Sequence, residues 1–189
     1  MAKIGLNNFR YATATINAST GVVSYGGAKK PAKAISFSFE PNVADASLYA
    51  DDGRAEYDSR VTGGTVTMGI DREDATMLAD LLGHTKSSQG DEVTDNVNDV
   101  APYVGVGRVT RLMEDGVQKF RGTVISLVKF SEPSETDNTM GESIEFNTSE
   151  ISGQMIIPVN GKWRQRKTFD TQAEAITYIE SKLGSSATL

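Results

Sequence analysis

The chain of 189 residues contains no cysteine, a single histidine (His84) and a single tryptophan (Trp163). The missing thiols exclude disulfide stapling, thiol nucleophiles and cysteine-ligated metal. His84 has no Cys and no second His with which to share a site, so it makes a poor general base or zinc ligand. It follows Gly83, a helix-stop residue, and reads as a polar group favoured by the negative end of a helix dipole. No stretch approaches the ~20 apolar residues of a membrane-spanning helix. Met1 to Arg10 holds no apolar run suited to a signal peptide. Synthesis in the cytoplasm is therefore expected, and the sequons at Asn17 and Asn147 read as accidental. Bases are outnumbered 19 to 25, a net charge of −6, which argues against a general nucleic-acid binder.

What is present is mostly strand signal. With 38% hydrophobic residues the chain belongs to the folded globular class, in one domain over 1–189. Phe9 to Ile16 opens the series. Lys33 to Glu40 alternates Ile35, Phe37 and Phe39 with small residues, and Thr65 to Ile70 does the same with Val66, Met68 and Ile70. Tyr103 to Met113 and Val117 to Phe130 flank an acidic-Gly turn, a hairpin signature. Ile144 to Asn147 and Ile151 to Val159 add two more strands. Asn160-Gly161 offers a type I′ turn into Lys162-Trp163-Arg164. Eight or nine strands are predicted.

Two helices accompany them. The first follows Asp71 as N-cap, presents Ala75, Leu78, Leu81 and Leu82, and stops at Gly83. The second covers 171–183. It opens on the capping box Thr171-Gln172-Ala173-Glu174 and carries the stripe Ala175, Ile176, Ile179 and Leu183. Residues 1–8 read as an N-terminal arm and 184–189 as a loose tail. Three polar loops, 17–31, 85–99 and 131–143, exceed the length usual inside a compact domain and point to assembly surfaces. The fold class is mainly β with two short helices, an antiparallel sandwich or barrel. The first helix lies on its flank and the second at its edge.

Catalytic signatures are missing. Gly141-Glu142-Ser143-Ile144-Glu145 fails the nucleophile elbow at its last position. Gly105-Val106-Gly107 has Thr110 where a dinucleotide loop needs its third glycine, and it lies within a strand signal; close packing or a bulge accounts for it better. The Asp95–Asp99 run fails the EF-hand pattern at Val97. No enzyme activity, metal or cofactor is expected. Arg164 and Arg166 should share one strand face, with Trp163 and Gln165 on the other. That basic face is either solvated or in contact with an acidic loop of a neighbouring subunit.

Several segments carry a resemblance. They are Leu48-Tyr49-Ala50-Asp51-Asp52, Leu81-Leu82-Gly83-His84, Asp99 to Gly107, Lys129 to Glu135, Gly141 to Phe146, and Lys167 to Ala175. In their order and spacing they resemble the major tail proteins (tail tube proteins) of long-tailed bacteriophages, in particular a family found in phages of Gram-positive bacteria. The resemblance spans nearly the whole chain and implies a structural virion protein. Its fold is of the tail-tube type, and its partners are further copies of itself in six-membered rings stacked into a smooth tube, with other tail proteins at the tube ends. DNA passes through without specific binding, and no membrane is involved. Contacts between subunits or rings are expected from Pro41 to Ser59 (Asp51, Asp52, Arg54, Glu56), from Ser131 to Ser143 (Glu132, Glu135, Asp137), and from Arg164 and Arg166. The alternative is a soluble β-sandwich binding module of carbohydrate or adhesin type, marked by clustered exposed aromatics. Tyr25, Tyr49, Tyr57 and Tyr103 are the candidates, scattered along the chain.

The conduit role predicts the sign of the inner wall. DNA carries one negative charge per ~1.7 Å of axis, and each neutralising Lys or Arg adds affinity. A basic wall repeated in every ring would hold the DNA, so the wall should be neutral or negative, acting over the ~8 Å screening length of physiological salt. Counting charged groups on the lumen of an assembled tube checks this. An excess of Lys and Arg over Asp and Glu there refutes it.

Overall fold

The computed structural model describes residues 2–31, 33–50, 53–72, 74–88, 92–134 and 149–184, with backbone alone at 49, 50 and 53–55. Strands β1 (Ala2–Ile16), β2 (Val23–Tyr25), β3 (Ala34–Ala50) and β4 (Gly53–Ile70) precede helix α1 (Ala75–Leu82). Then come β5 (Thr85–Lys86), β6 (Val93–Thr94), β7 (Tyr103–Glu114), β8 (Val117–Phe130), β9 (Ser149–Met155), β10 (Arg164–Phe169) and helix α2 (Gln172–Lys182). The chain is mainly β with two short helices, and every strand pairing is antiparallel.

One large sheet runs in the order β2-β1-β7-β8-β9-β4-β3, with β10 added on β8. One edge of β8 pairs with β7 along nearly its whole length. The other edge is divided, with β10 beside 120–125 and β9 beside 128–130. At the junction Ser126 N–H donates to the Trp163 carbonyl, and the Leu127 carbonyl accepts from Ile156 N–H. The ladder therefore loses no partner where it forks. Beyond the fork the sheet curls into two layers, and its β3 end returns over β1, where the Phe9 and Phe37 rings lie 6.0 Å apart. This is a sandwich-type arrangement.

Period-two alternation fills the space between the layers. Val66, Met68 and Ile70 of β4 face Val104 and Val106 of β7, Ile125, Val128 and Phe130 of β8, and Ile151 and Met155 of β9. Each such side chain contributes about 1.5–3 kcal/mol on burial. Helix α1 adds Met77, Leu81 and Leu82 to this core. Its N-cap is Asp74, whose side chain accepts from Thr76 and Met77 N–H, not the expected Asp71. Asp71 instead exchanges bonds with Lys33 at the base of the β3–β4 pair: its N–H donates to the Lys33 carbonyl, and its carboxylate accepts from Lys33 N–H. Gly83 ends α1 at φ 85°, a conformation few other residues tolerate. The Tyr11 hydroxyl donates to Asp80 at 2.8 Å, and Lys29 pairs with the same carboxylate at 2.7 Å, pinning α1 to β1.

Helix α2 has the expected capping box on Thr171 and Glu174. It packs over the face of β1, β7 and β8 rather than at an edge, burying Ala175, Ile179 and Leu183 against Ala12, Val109 and Val124. Glycines on the sheet permit this approach. A Cβ on Gly107 would come within 2.3 Å of Ile179 Cγ2, and one on Gly105 within 2.7 Å of Leu183 Cδ2. A register shift also lies between Val104 and Val106. Of the two reasons expected for these glycines, close strand packing gives way to the close approach of helix α2, and the second, a bulge, corresponds to the irregular register at Gly105.

Other expectations need correction. The expected arm 1–8 is, from Ala2 onward, the first half of β1 and pairs with β7 from Ala2–Met113 inward. The 17–31 loop contains β2 and a bridge from Lys29 to Tyr11, and the 85–99 loop contains β5 and β6. Asn160-Gly161 makes no hairpin, since β9 and β10 both pair with β8. The turn closes by Gly161 N–H to the Pro158 carbonyl. The turn of β7–β8 does have both central residues at positive φ, Asp115 at 48° and Gly116 at 79°, as a two-residue I′ hairpin requires. The strand expected at Ile144 to Asn147 and the tail from residue 185 lie outside the described residues.

The close approach at Gly107 gives a coupled prediction. Gly107→Ala should destabilise by about 1–3 kcal/mol through overpacking, and Ile179→Ala by about 2–5 kcal/mol through a cavity. In the double variant each change relieves the other, so the combined loss should fall below the sum. Urea unfolding of the four proteins measures the coupling, and simple additivity would show that the helix does not bear on Gly107.

Candidate functional site

Among the described residues strand β3 pairs on one side only, with β4, so its 17 residues form an edge of the described sheet. Beyond Gly64, where β9 ends its pairing with β4, strands β3 and β4 continue as a two-stranded ribbon from Asn42–Gly63 to Ala50–Gly53. An isolated two-stranded ribbon is marginal in water. This one exposes Val43 (48%), Leu48 (58%) and Tyr57 (54%). Pro41, which lacks an N–H, is tolerated within β3 because that strand is an edge. The segment Pro41 to Ser59, expected to lie outside the core, does so as paired strands. Glu56 stands opposite Leu48 and is exposed, and Arg54 pairs by backbone with Tyr49. Asp51 and Asp52 lie outside the described residues, as do Glu135 and Asp137.

A second feature lies between the layers. Lys3, Phe37, Phe39, Arg108, Arg121, Arg164 and Arg166 line a cavity of about 320 Å³ with Ser38, Thr110 and Thr123. The alternation of β7, β8 and β10 places these bases there: Arg164 pairs with Ile125, Arg166 with Thr123, and Thr123 with Arg108. The Arg108 guanidinium lies 3.7 Å from the centroid of Phe37. That of Arg164 sits 4.3 Å over Trp163 and 5.5 Å from Phe39. Trp163 itself stacks on Phe39. The expected separation of Trp163 from Arg164 therefore fails: Trp163 precedes β10, and its ring joins the core beneath the guanidinium. Arg164 is half-buried, not on a freely solvated face. Burial, then repulsion from Arg164 and Arg166, pushes Arg108 down to about 10. Its Nη1 is buried without a hydrogen-bond partner. Among the described residues no carboxylate pairs with Arg108, Arg164 or Arg166.

The third feature is His84, with its side chain only 6% exposed. Asp99 Oδ2 lies 2.9 Å from Nδ1, and Glu132 Oε1 lies 2.7 Å from Nε2, with Asp95 at 3.5 Å. The Glu132 contact is an ion pair off the ring's donor direction, since Nε2 has no well-aligned acceptor. The hydrogen bond to Asp99 is the main cause raising the His84 pKa, with Glu132 and Asp95 adding to it against burial. When protonated, His84 thus pins the 95–99 turn to the start of the 131–143 segment. Because Asp99 and Glu132 take opposite ring nitrogens, they do not converge on one point. Among the described residues no group of His, Asp and Glu is placed to hold a metal.

The structure brings Arg164 and Arg166 together with three bases that sequence reasoning did not connect to them: Lys3, Arg108 and Arg121. The signal available was Arg108, a charge within the apolar and glycine run 104–109 of β7. Of the four tyrosines, Tyr25 is half-buried, its hydroxyl donating to the Ser126 carbonyl. Tyr103 sits beside Lys129, and Tyr57 is exposed on the ribbon. The side chain of Tyr49 lies outside the described ones. No protein-family model matches this chain, and no curated protein matches it significantly.

His84 yields a pH prediction. Its folded pKa lies above the ordinary 6.5, so its stabilisation is complete below that pH and is lost as pH rises through the folded value. Asp99 is held below the ordinary 3.8, chiefly by His84, so its share is present above 3.8 and is lost as pH falls through its folded value. His84→Asn should therefore lower Tm most around pH 5–6, with the difference from wild type shrinking at alkaline pH. A thermal-melt series across pH measures this, and a Tm difference that grows toward pH 9 would contradict the pin.

Proposed function

We propose that this chain is a structural subunit that polymerises with itself: a phage tail-tube protein whose six-membered rings stack into the conduit for DNA. One observation carries the reading. The 17-residue strand β3 and the apolar-bearing ribbon beyond it form an edge without a second partner among the described residues, a surface of the kind that soluble proteins normally cover. Ring neighbours would cover it by heterologous contacts that close on themselves, while stacking extends without limit. The segment resemblance to tail tube proteins supports the same reading, and so does the acidic composition, which suits a channel for DNA. The mechanism is assembly, and no cofactor takes part in it. A carbohydrate- or adhesin-type module would need grouped exposed aromatics, and Tyr25, Tyr57 and Tyr103 do not supply them.

The purified protein at high concentration is expected to form rings or tubes in negative-stain electron microscopy, and to sediment equally with and without a chelator. Replacing Ala44 to Arg60 with an Asn-Gly turn, which joins the opposed pair Val43 and Val61, should leave a folded monomer that no longer assembles. A wild-type protein that stays monodisperse at every concentration would overturn the reading, and tubes formed by the shortened protein would overturn the role of the ribbon.

A further inference from the structure

An acidic chain has gathered Lys3, Arg108, Arg164 and Arg166 around one cavity and given three of those arginines no carboxylate among its described residues. Burying cations without an anion is costly. Here the faces of Phe37 and Trp163 offset part of the cost. The Arg108 Nη1 donor remains unused within the wall. Planar guanidiniums with free donors are suited to bidentate recognition of carboxylate or phosphate.

We infer that the cavity is a carboxylate-docking site and that its occupant is the Asp51-Asp52 turn of a second copy of this chain. The inference rests on the self-assembling reading and specifies its contact. Charge complementarity selects the occupant. Asp51 and Asp52 are adjacent acids between Ala50 and Gly53, the last pair of a narrow ribbon. The cavity wall includes Phe39. At about 3.3 Å per residue, Ala50, the last residue of β3, lies roughly 35 Å along the strand from Phe39. The ribbon is paired along this whole length with two single register shifts, at Asn42/Val43 and Leu48/Tyr49. A ribbon held open in this way carries its far pair, Ala50–Gly53, away from its own cavity, so the acids that join them are offered to another molecule. The contact is head-to-tail, the type that builds rings or filaments.

The absence of cysteine makes a clean test possible. A D52C/R166C variant carries two thiols in an otherwise thiol-free chain, and Arg166 is exposed, so its replacement spares the core. Under mild oxidation, in conditions where the wild type assembles, head-to-tail docking gives a disulfide ladder running past the dimer. Each single-cysteine variant stops at the dimer. A second readout needs no disulfide geometry. D51K/D52K and R164E/R166E should each lower the sedimenting fraction at least tenfold, and an equimolar mixture should restore it, because the reversed turn meets the reversed cavity. Wild-type assembly with neither ladder nor rescue overturns the docking and leaves the subunit reading standing. Failure of the wild type to assemble removes both. Titration with inorganic phosphate separates the remaining source of the anion: phosphate binding abolished in R164E/R166E, with assembly unchanged in that variant, would make this a small-anion site and overturn the inference.

Discussion

Strand β8 is the constraint on which the rest of this structure depends. Both of its edges are paired and both of its faces are covered, and its second edge is shared by two strands in succession. Val124 faces helix α2 while its neighbour Ile125 faces the space between the layers. A one-residue slip of β8 would exchange these two environments and place wrong side chains in both cores at once. The division of its edge also lets the sheet branch, because β9 continues into β4 and β3 while β10 lies off that path, and the backbone bonds at Ser126 and Leu127 continue across the fork.

Charge follows from this geometry. Where β10 takes over the edge of β8, the inward faces of β7, β8 and β10 are no longer apolar. They present Arg108, Thr123, Arg164 and Arg166, with Phe37, Phe39 and Trp163 as the surfaces on which the guanidiniums rest. The aromatic rings allow a half-buried position that aliphatic walls would not, since a ring face attracts a cation and a methyl group does not. At the other end of the molecule the signs are reversed, and a nearly buried His84 cation is surrounded by Asp95, Asp99 and Glu132. The two sites are opposite solutions to burial of charge. His84 has its counter-ions within the chain, whereas among the described residues Arg108, Arg164 and Arg166 have none. The first suits a structural pin, and the second suits the docking proposed above.

The unfinished edge of the sheet belongs to the same pattern. Strand β3 keeps Pro41 and three register shifts in its pairing with β4, devices that weaken edge pairing, yet the ribbon exposes Val43 and Leu48. A surface that is partly blunted and partly apolar suits regulated self-association better than permanent solvation.

The amino-acid sequence by itself determined the elements whose cause is local. The alternation of Val66, Met68 and Ile70, the Asp115-Gly116 hairpin, the Gly83 stop, the Thr171–Glu174 capping box and the Ala175-Ile179-Leu183 stripe depend on residues within a few positions of one another, and all of them are found where local rules place them. Non-local partners decided the rest. Residues 2–8 look like an arm because their apolar content is low, but β7 offers them an edge. Asp71 looks like an N-cap, but Lys33 engages it. The strand 41–50 lacks core-like alternation because no second layer covers it, and so it reads as a surface loop. The arginine cavity was the least legible feature. Arg108 lies more than fifty residues from Arg164, and only the pairing of both strands with β8 brings their side chains to one wall. A sequence records which residues can pair locally, whereas the meeting of distant like charges depends on strand order and register, which exist only in the folded sheet.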